Sequence, residues 1–274
     1  MTKTRTPLLG LTKTTGAALG LAKTAGAILT LTGLLLPAAA CSSGTPRATG
    51  TPRPAGATAR PALSKVLFLG DSIAAGEALP LTAAFKAGGV GFQSIAADGG
   101  GNVVGPFSEH NWTKLPGQIA SAAPTVLVYQ ITTYDWGGPR TQQAAYEKLL
   151  TTVTGAGARL VFVTAPPIRP DDFYRPHLAD LARAPGAARA VAARASGRAT
   201  VLDAGAVWGH TYQRIEDGRT YRSTDGIHTC PQGAARFTGW LLTELAKLFP
   251  GFTPPAPQSW ANTGWSGNAR FHGC

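Results

Sequence analysis

Two short stretches, far apart in the chain, hold the residue types of a proton-relayed nucleophile. The first is Gly70-Asp71-Ser72. It follows the apolar run Val66 to Leu69 and precedes a stretch with Ala74, Ala75 and Ala78. A strand–turn–helix of this kind places the turn residue at the carboxyl edge of a sheet, where open α/β sheets build their sites. A serine there lies beside a helix amino terminus, whose free N–H groups can receive the oxyanion that attack on a carbonyl creates. The same residues also admit a structural role, with Asp71 or Ser72 capping the helix. The second stretch is Asp225-Gly226-Ile227-His228, just ahead of the amphipathic segment 231–249. An aspartate three residues before a histidine can bring its carboxylate to the imidazole Nδ1. That fixes the tautomer and leaves Nε2 to take a serine proton. His110, His177, His210 and His272 lie in Gly/Pro/Arg-rich or terminal contexts, and none has an aspartate at that spacing. They are expected in loops or on the surface, and Arg222, ahead of the Asp225 turn, either orders that loop or is solvated.

Gly-Asp-Ser early and Asp-x-x-His late resemble the SGNH, or GDSL-type, hydrolases, over residues 64–250. The resemblance implies Ser72 as nucleophile, His228 as general base and acid, and Asp225 as the residue that orients it. It also implies oxyanion donors at two further strand ends. In Asp98-Gly99-Gly100-Gly101-Asn102 the family uses a glycine N–H beside that of the serine; Gly101 matches best and Gly100 next. Farther on, the family's Gly-x-Asn-Asp reads Thr132-Thr133-Tyr134-Asp135 here, so only Asp135 agrees. The Tyr134 hydroxyl or the Asn102 amide would supply the third donor, or Tyr134 merely walls the pocket. Asp71, Thr133, Asp135 and Trp136 are the further residues expected around the cleft.

The elements that must position these residues alternate between strand and helix, which argues for a parallel sheet with covered faces. Strands are expected at 66–69, 92–97, 126–131, 160–164 and 200–202. Helices are expected at 73–86, 141–154 and 178–196, with a final one carrying Phe237, Leu241, Leu245 and Leu248 on one face. The expected architecture is a three-layer α/β/α sandwich on a mostly parallel, about five-stranded sheet, flavodoxin-like in type. The glycine turn at 98–102 lacks the Gly-x-Gly-x-x-Gly spacing, and no helical pattern is seen after it. No grouping has metal-ligand spacing, so neither cofactor nor metal is expected.

Residues 1–64 carry seven basic residues and no acidic one. The remainder holds eighteen basic and fourteen acidic residues, so most of the formal charge of +11 belongs to the amino-terminal segment. Nucleic-acid binding is therefore not expected. Lys3, Arg5, Lys13 and Lys23 precede the apolar run Ala25 to Leu36, which reads as an export segment over 1–40. Ala38-Ala39-Ala40-Cys41 is similar to a bacterial lipobox, with Ala38 at the usual Leu position, and implies lipidation of Cys41. Plain secretion or a retained anchor is the competing reading. Residues 41–63, rich in Thr, Pro, Gly, Ala and Arg, read as a disordered tether.

With Cys41 lipidated, Cys230 and Cys274 form an even pair in an oxidising compartment. A disulfide between them would pin the tail 251–274 across the loop face and bring Trp260 or Trp265 toward the cleft. Two free thiols and a loose tail are the alternative. The combined expectation is an extracytoplasmic, lipid-anchored, monomeric esterase acting on small-molecule or saccharide esters. An acyltransferase, or a non-catalytic envelope-binding protein on the same fold, is the alternative.

Overall fold

The computed structural model describes residues 62–274. The export segment, Cys41 and all but the last two residues of the tether lie outside the described residues. Leu63, assigned to the tether, is buried in the core, so the folded domain already includes it.

Five strands form the sheet: β1 (Lys65–Leu69), β2 (Gly91–Ser94), β3 (Val126–Gln130), β4 (Arg159–Val163) and β5 (Ala199–Leu202). Their spatial order is β2-β1-β3-β4-β5, and every pairing is parallel. The long helices are α1 (Ser72–Ala87), α2 (Ser108–Ala122), α3 (Pro139–Gly155), α4 (Leu178–Ala193) and, after a short α5 (Gly205–Trp208), α6 (Pro231–Leu248). A small antiparallel hairpin, β6 (Ile215–Glu216) with β7 (Arg219–Thr220), lies between α5 and α6.

The period of two along the strands separates two apolar cores. Val66, Phe68, Val126, Val128, Val161 and Val163 pack with Leu81 and Phe85 of α1 and Phe237 and Leu241 of α6. Leu67, Leu69, Leu127, Tyr129, Leu160 and Phe162 pack with residues of α2, α3 and α4. Burial on both faces is why β1, β3 and β4 read as unbroken apolar runs rather than alternating ones.

The expected strands and helices are present with shifts of up to three residues at their ends; α2, the short α5 and the β6–β7 hairpin lie where no element was expected. Pro116 and Gly117 interrupt the pattern of α2, which buries only Leu115, Ile119 and Ala122. Those three still follow helical spacing, so the signal was present but thin. The second strand ends at Ser94, sooner than its apolar pattern suggests. Two further bonds, Ile95 N–H to Phe68 O and Ala97 N–H to Gly70 O, carry it alongside the end of β1. Strand order reverses between β1 and β3, and the loops that leave these two strands open a crevice at the carboxyl edge.

Candidate active site

Ser72 is the first residue of α1, and Asp71 is its N-cap. Asp71 Oδ1 accepts from Ile73 N–H at 3.0 Å, while Oδ2 accepts from the Thr133 N–H and Thr133 Oγ1, both at 2.8 Å. Both capping and a candidate nucleophile are therefore present in this turn, on adjacent residues. Asp71 and Thr133 are buried against each other. They tie the serine turn to the loop after β3 and do not line the cleft, which corrects the expectation for both. Burial raises the Asp71 carboxyl above its ordinary value, against hydrogen bonds from Thr133 and Ile73 that lower it.

The two chemical stretches meet. His228 Nε2 lies 2.8 Å from Ser72 Oγ, and His228 Nδ1 lies 2.8 Å from Asp225 Oδ2. Asp225 Oδ1 accepts from the N–H groups of Ile227 at 2.7 Å and His228 at 2.9 Å. Partial burial pushes the Asp225 carboxyl up, but the His228 and Ile227 N–H groups and the His228 ring outweigh it and hold the carboxyl at about 2. Asp225 is thus an acceptor throughout the neutral range.

Arg222 holds this loop from beneath. It is only 2% exposed and donates to the carbonyls of Pro167 (2.8 Å), Ile227 (2.6 Å) and His228 (3.3 Å). A solvated arginine is therefore excluded. Its charge is opposed by buried Glu77 of α1, whose Oε2 accepts from Gln130 Nε2 at 2.6 Å. Burial pushes the Glu77 carboxyl well up, against the Gln130 hydrogen bond and the Arg222 charge. The serine helix, the end of β3 and the histidine loop thus share one buried polar group, a type of contact that apolar periodicity does not announce.

The oxyanion candidates separate by where their hydrogens point. The N–H groups of Ser72 and Gly101 have no hydrogen-bond partner among the described residues, whereas Gly100 N–H turns back to Ala97 O at 3.3 Å. Gly101 has φ +74°, and a Cβ there would lie 1.8 Å from Gly70 O, so only glycine brings this N–H so close to the serine turn. Asn102 is fully buried, and its amide donates to the Val104 and Pro106 carbonyls. Both amide hydrogens are committed there, which removes it as a third donor. Tyr134 lines the cavity at Ser72, and its hydroxyl accepts from Tyr174 at 3.3 Å, keeping its own hydrogen to donate. Burial and the Tyr174 hydroxyl push the Tyr134 phenol well up, so it stays protonated.

Asp135 and Trp136 do not line that cavity either. Trp136 stacks on His177 at 3.5 Å and donates to Thr133 O at 2.8 Å. Asp135 is fully buried and accepts from Tyr129 at 2.7 and 2.8 Å, Thr132 at 2.9 Å and Tyr146 at 2.7 Å. Burial raises its carboxyl to about 7, beyond what these hydroxyls pull back. The folded state therefore keeps a proton that the unfolded chain, near 4, has lost. Stability from this group falls as pH rises from about 4 to about 7, by roughly 4 kcal/mol in all. Asp135→Asn should flatten the loss of unfolding free energy between pH 4.5 and 7.5, because hydroxyl rotors can reorient toward an amide. Parallel denaturation curves for the two proteins would refute this.

The tail is pinned at the loop face, but it does not bring its tryptophans to the cavity. Cys230 and Cys274 form a disulfide with Cα atoms 5.7 Å apart. Thr224 N–H donates to Gly273 O at 2.8 Å, and Ser223 Oγ donates to His272 O at 2.9 Å. The cavity at Ser72, about 550 Å³, is lined by Asn268, Arg270 and His272 of the tail together with Tyr134, Tyr174 and His228. Arg270 also forms an ion pair with Asp98 of the glycine turn. Trp260 is instead buried in the core and Trp265 packs beside α1, so the tryptophans are not cleft residues. His272 is no mere terminal residue, since its Nε2 is 3.9 Å from Asp225 Oδ2. Ligand-type atoms of Asp225, His228 and His272 fall within 4.8 Å of one another, a grouping that no sequence spacing foretold. Of these, His228 is hydrogen-bonded to Asp225 through Nδ1 and to Ser72 through Nε2. The usable signal for the tail was Cys274, two residues after His272.

No family model and no curated protein matches the chain. Solved structures do. A protein from Bacteroides fragilis assigned as an acylhydrolase aligns at a TM-score of 0.51 and 13% identity, over 68% of this chain and 88% of that one. A GDSL-like lipase from Bacteroides thetaiotaomicron aligns at 0.51 and 12%, over 68% and 89%. The fold is that of the GDSL-like hydrolases. At this identity the likeness concerns the fold, and in that GDSL-type fold Ser72 opens α1 just after β1 and His228 stands on the loop before α6.

Proposed function

We propose that the chain is a serine ester hydrolase working through an acyl-enzyme. The observation that carries this reading is the continuous chain from Ser72 Oγ through His228 to Asp225, both contacts at 2.8 Å. His228 Nε2 takes the Ser72 proton as Oγ attacks the ester carbonyl, and Asp225 stabilises the imidazolium that forms. The oxyanion is received by the Ser72 and Gly101 N–H groups, with the Tyr134 hydroxyl as third donor. The imidazolium returns its proton to the departing alcohol, and water, activated in the same way, releases the acid. An acyltransferase would share every step to the acyl-enzyme and differ only in using a sugar hydroxyl in place of water. The hydrogen-bonded relay argues against a non-catalytic binding protein, despite the replacement of the family's asparagine by Tyr134. Hydrolysis of a 4-nitrophenyl ester panel from acetate to octanoate by residues 42–274, compared with Ser72→Ala, tests the reading. Product analysis with a sugar acceptor separates hydrolysis from transfer.

The substrates we assign are short acyl esters on envelope or extracellular saccharides, met outside the cytoplasm by a lipid-anchored protein. The Cys230–Cys274 disulfide fits an oxidising compartment. Cys41 behind a short apolar run fits a lipid anchor. Cys41→Ser should move the protein from the membrane fraction to a soluble fraction or the medium. A variant that still pellets with membranes would exclude Cys41 as the anchor.

A further inference from the structure

A second cavity, about 410 Å³, opens beside the one at Ser72 and shares its Asp98 and Gly99 edge. Its wall carries the Asp98, His110, Lys114 and Gln118 side chains, and Phe107 stands over it. Phe107 breaks two local rules. It is the N-cap of α2, where a small polar side chain is favoured, and it holds φ +66°, a region that suits glycine or asparagine. Phe107 is 56% exposed, so burial does not compensate for the strain. The segment is braced in place: the Asn102 amide donates to the Val104 and Pro106 carbonyls, and Ser108 Oγ donates to Gly105 O at 2.7 Å. Strain held by its surroundings, with an apolar ring left in solvent, marks a position kept for a ligand.

Phe107 is also part of a row. It meets Tyr134 edge-on at 6.0 Å, and Phe173 also meets Tyr134 edge-on at 6.1 Å. Phe173 is 51% exposed and is presented by Asp171, whose Oδ1 accepts from the Phe173 N–H at 3.0 Å. The middle ring of the row is the one that lines the Ser72 cavity. Exposed rings next to charged and amide side chains suit a ligand with apolar faces and a hydroxyl-bearing edge. A pyranose has both, whereas an acyl chain would use only the rings.

We propose that Phe107 and the cavity beside it form a saccharide subsite that holds the sugar bearing the ester. This rests on the hydrolase reading, and it makes Phe107 a specificity residue outside the relay. Glycine accepts φ +66° without strain, so Phe107→Gly separates a binding role from a packing one. The variant should melt no lower than the parent. Its kcat/KM on acetylated xylotriose should fall about tenfold relative to its kcat/KM on 4-nitrophenyl acetate, which offers no sugar to that contact. Binding of acetylated xylose, glucose and N-acetylglucosamine oligosaccharides to Ser72→Ala, measured by calorimetry, should weaken by the same factor when Phe107→Gly is added. A lower melting temperature with equal losses on both substrates would make Phe107 a packing wedge and overturn the proposal. So would failure of Ser72→Ala to bind any of these sugars. Equal 4-nitrophenyl acetate rates for wild type and Ser72→Ala would refute the hydrolase reading, and the calorimetry would still decide the subsite.

Discussion

Ser72→Ala and His228→Ala should each lower ester turnover by about 10⁶-fold, and Asp225→Asn by about 10⁴-fold. The order follows from the atoms involved. Ser72 Oγ forms the bond to the acyl carbon, and His228 Nε2, 2.8 Å away, carries the proton in both half-reactions. Removing either stops the same event. Asp225 exchanges no proton. Its Oδ2, 2.8 Å from Nδ1, accepts the Nδ1 hydrogen and leaves Nε2 bare. An asparagine amide there would donate instead, so the imidazole proton would move to Nε2 and face the serine with the wrong tautomer. The Ile227 and His228 N–H groups still have an oxygen to meet in that variant, so the loop should keep its shape. Rates on 4-nitrophenyl acetate with active-site titration measure all three variants. Wild-type turnover by Ser72→Ala would remove the serine mechanism, and an Asp225→Asn enzyme as dead as His228→Ala would mean that Asp225 builds the loop rather than orienting the base.

The parts of this architecture that were legible in the sequence are those with a period or a chemical type. Val66 to Leu69 is apolar throughout, and Val126 to Ile131 is so apart from Gln130, because both sheet faces are covered. Ser72 and His228 belong to short motifs whose backbone direction follows from the elements beside them. Cys230 and Cys274 are the two cysteines left once Cys41 is set aside. Side-chain direction in the loops carries no such signal. Asp71, Thr133 and Asp135 sit at strand ends where a ligand would be met, yet all three point inward and brace the crevice from behind. Asn102 has the right chemistry in the right turn, but its amide hydrogens close the loop that presents Phe107. Arg222 orders its loop rather than lying in solvent, and the sequence leaves that choice open because Glu77 and the Pro167 carbonyl, which meet it in the interior, are far away along the chain. For the tail, aromatic character favoured Trp260 and Trp265 over the small polar residues around Arg270. The structure buries the first in the core and packs the second beside α1, and the chain between them and Cys274 reaches the cavity.

That tail is the basis of the second large effect. Cys274→Ser should lower the melting temperature by about 10 °C and change KM together with it. The disulfide spans a sequence separation of 44, and closing a loop of that size stabilises by roughly 4 kcal/mol in the chain-entropy model. Cys230 is fully buried at the start of α6, where a lone thiol packs as a small hydrophobe, so the substitution acts through the lost restraint. The coupling to KM comes from what the restraint holds. Asn268, Arg270 and His272 form one wall of the Ser72 cavity, and between them and Cys274 the tail is held by the bonds from Ser223 and Thr224. Once Cys274 is untied, Arg270 loses its fixed approach to Asp98 and the wall opens. Arg270→Ala distinguishes the two contributions, because it removes a wall side chain and leaves the disulfide intact. It should shift KM with little change in melting temperature. If Cys274→Ser melts early while KM and kcat stay at the wild-type values, the tail is only a brace, and substrate meets a cavity formed by the core domain alone.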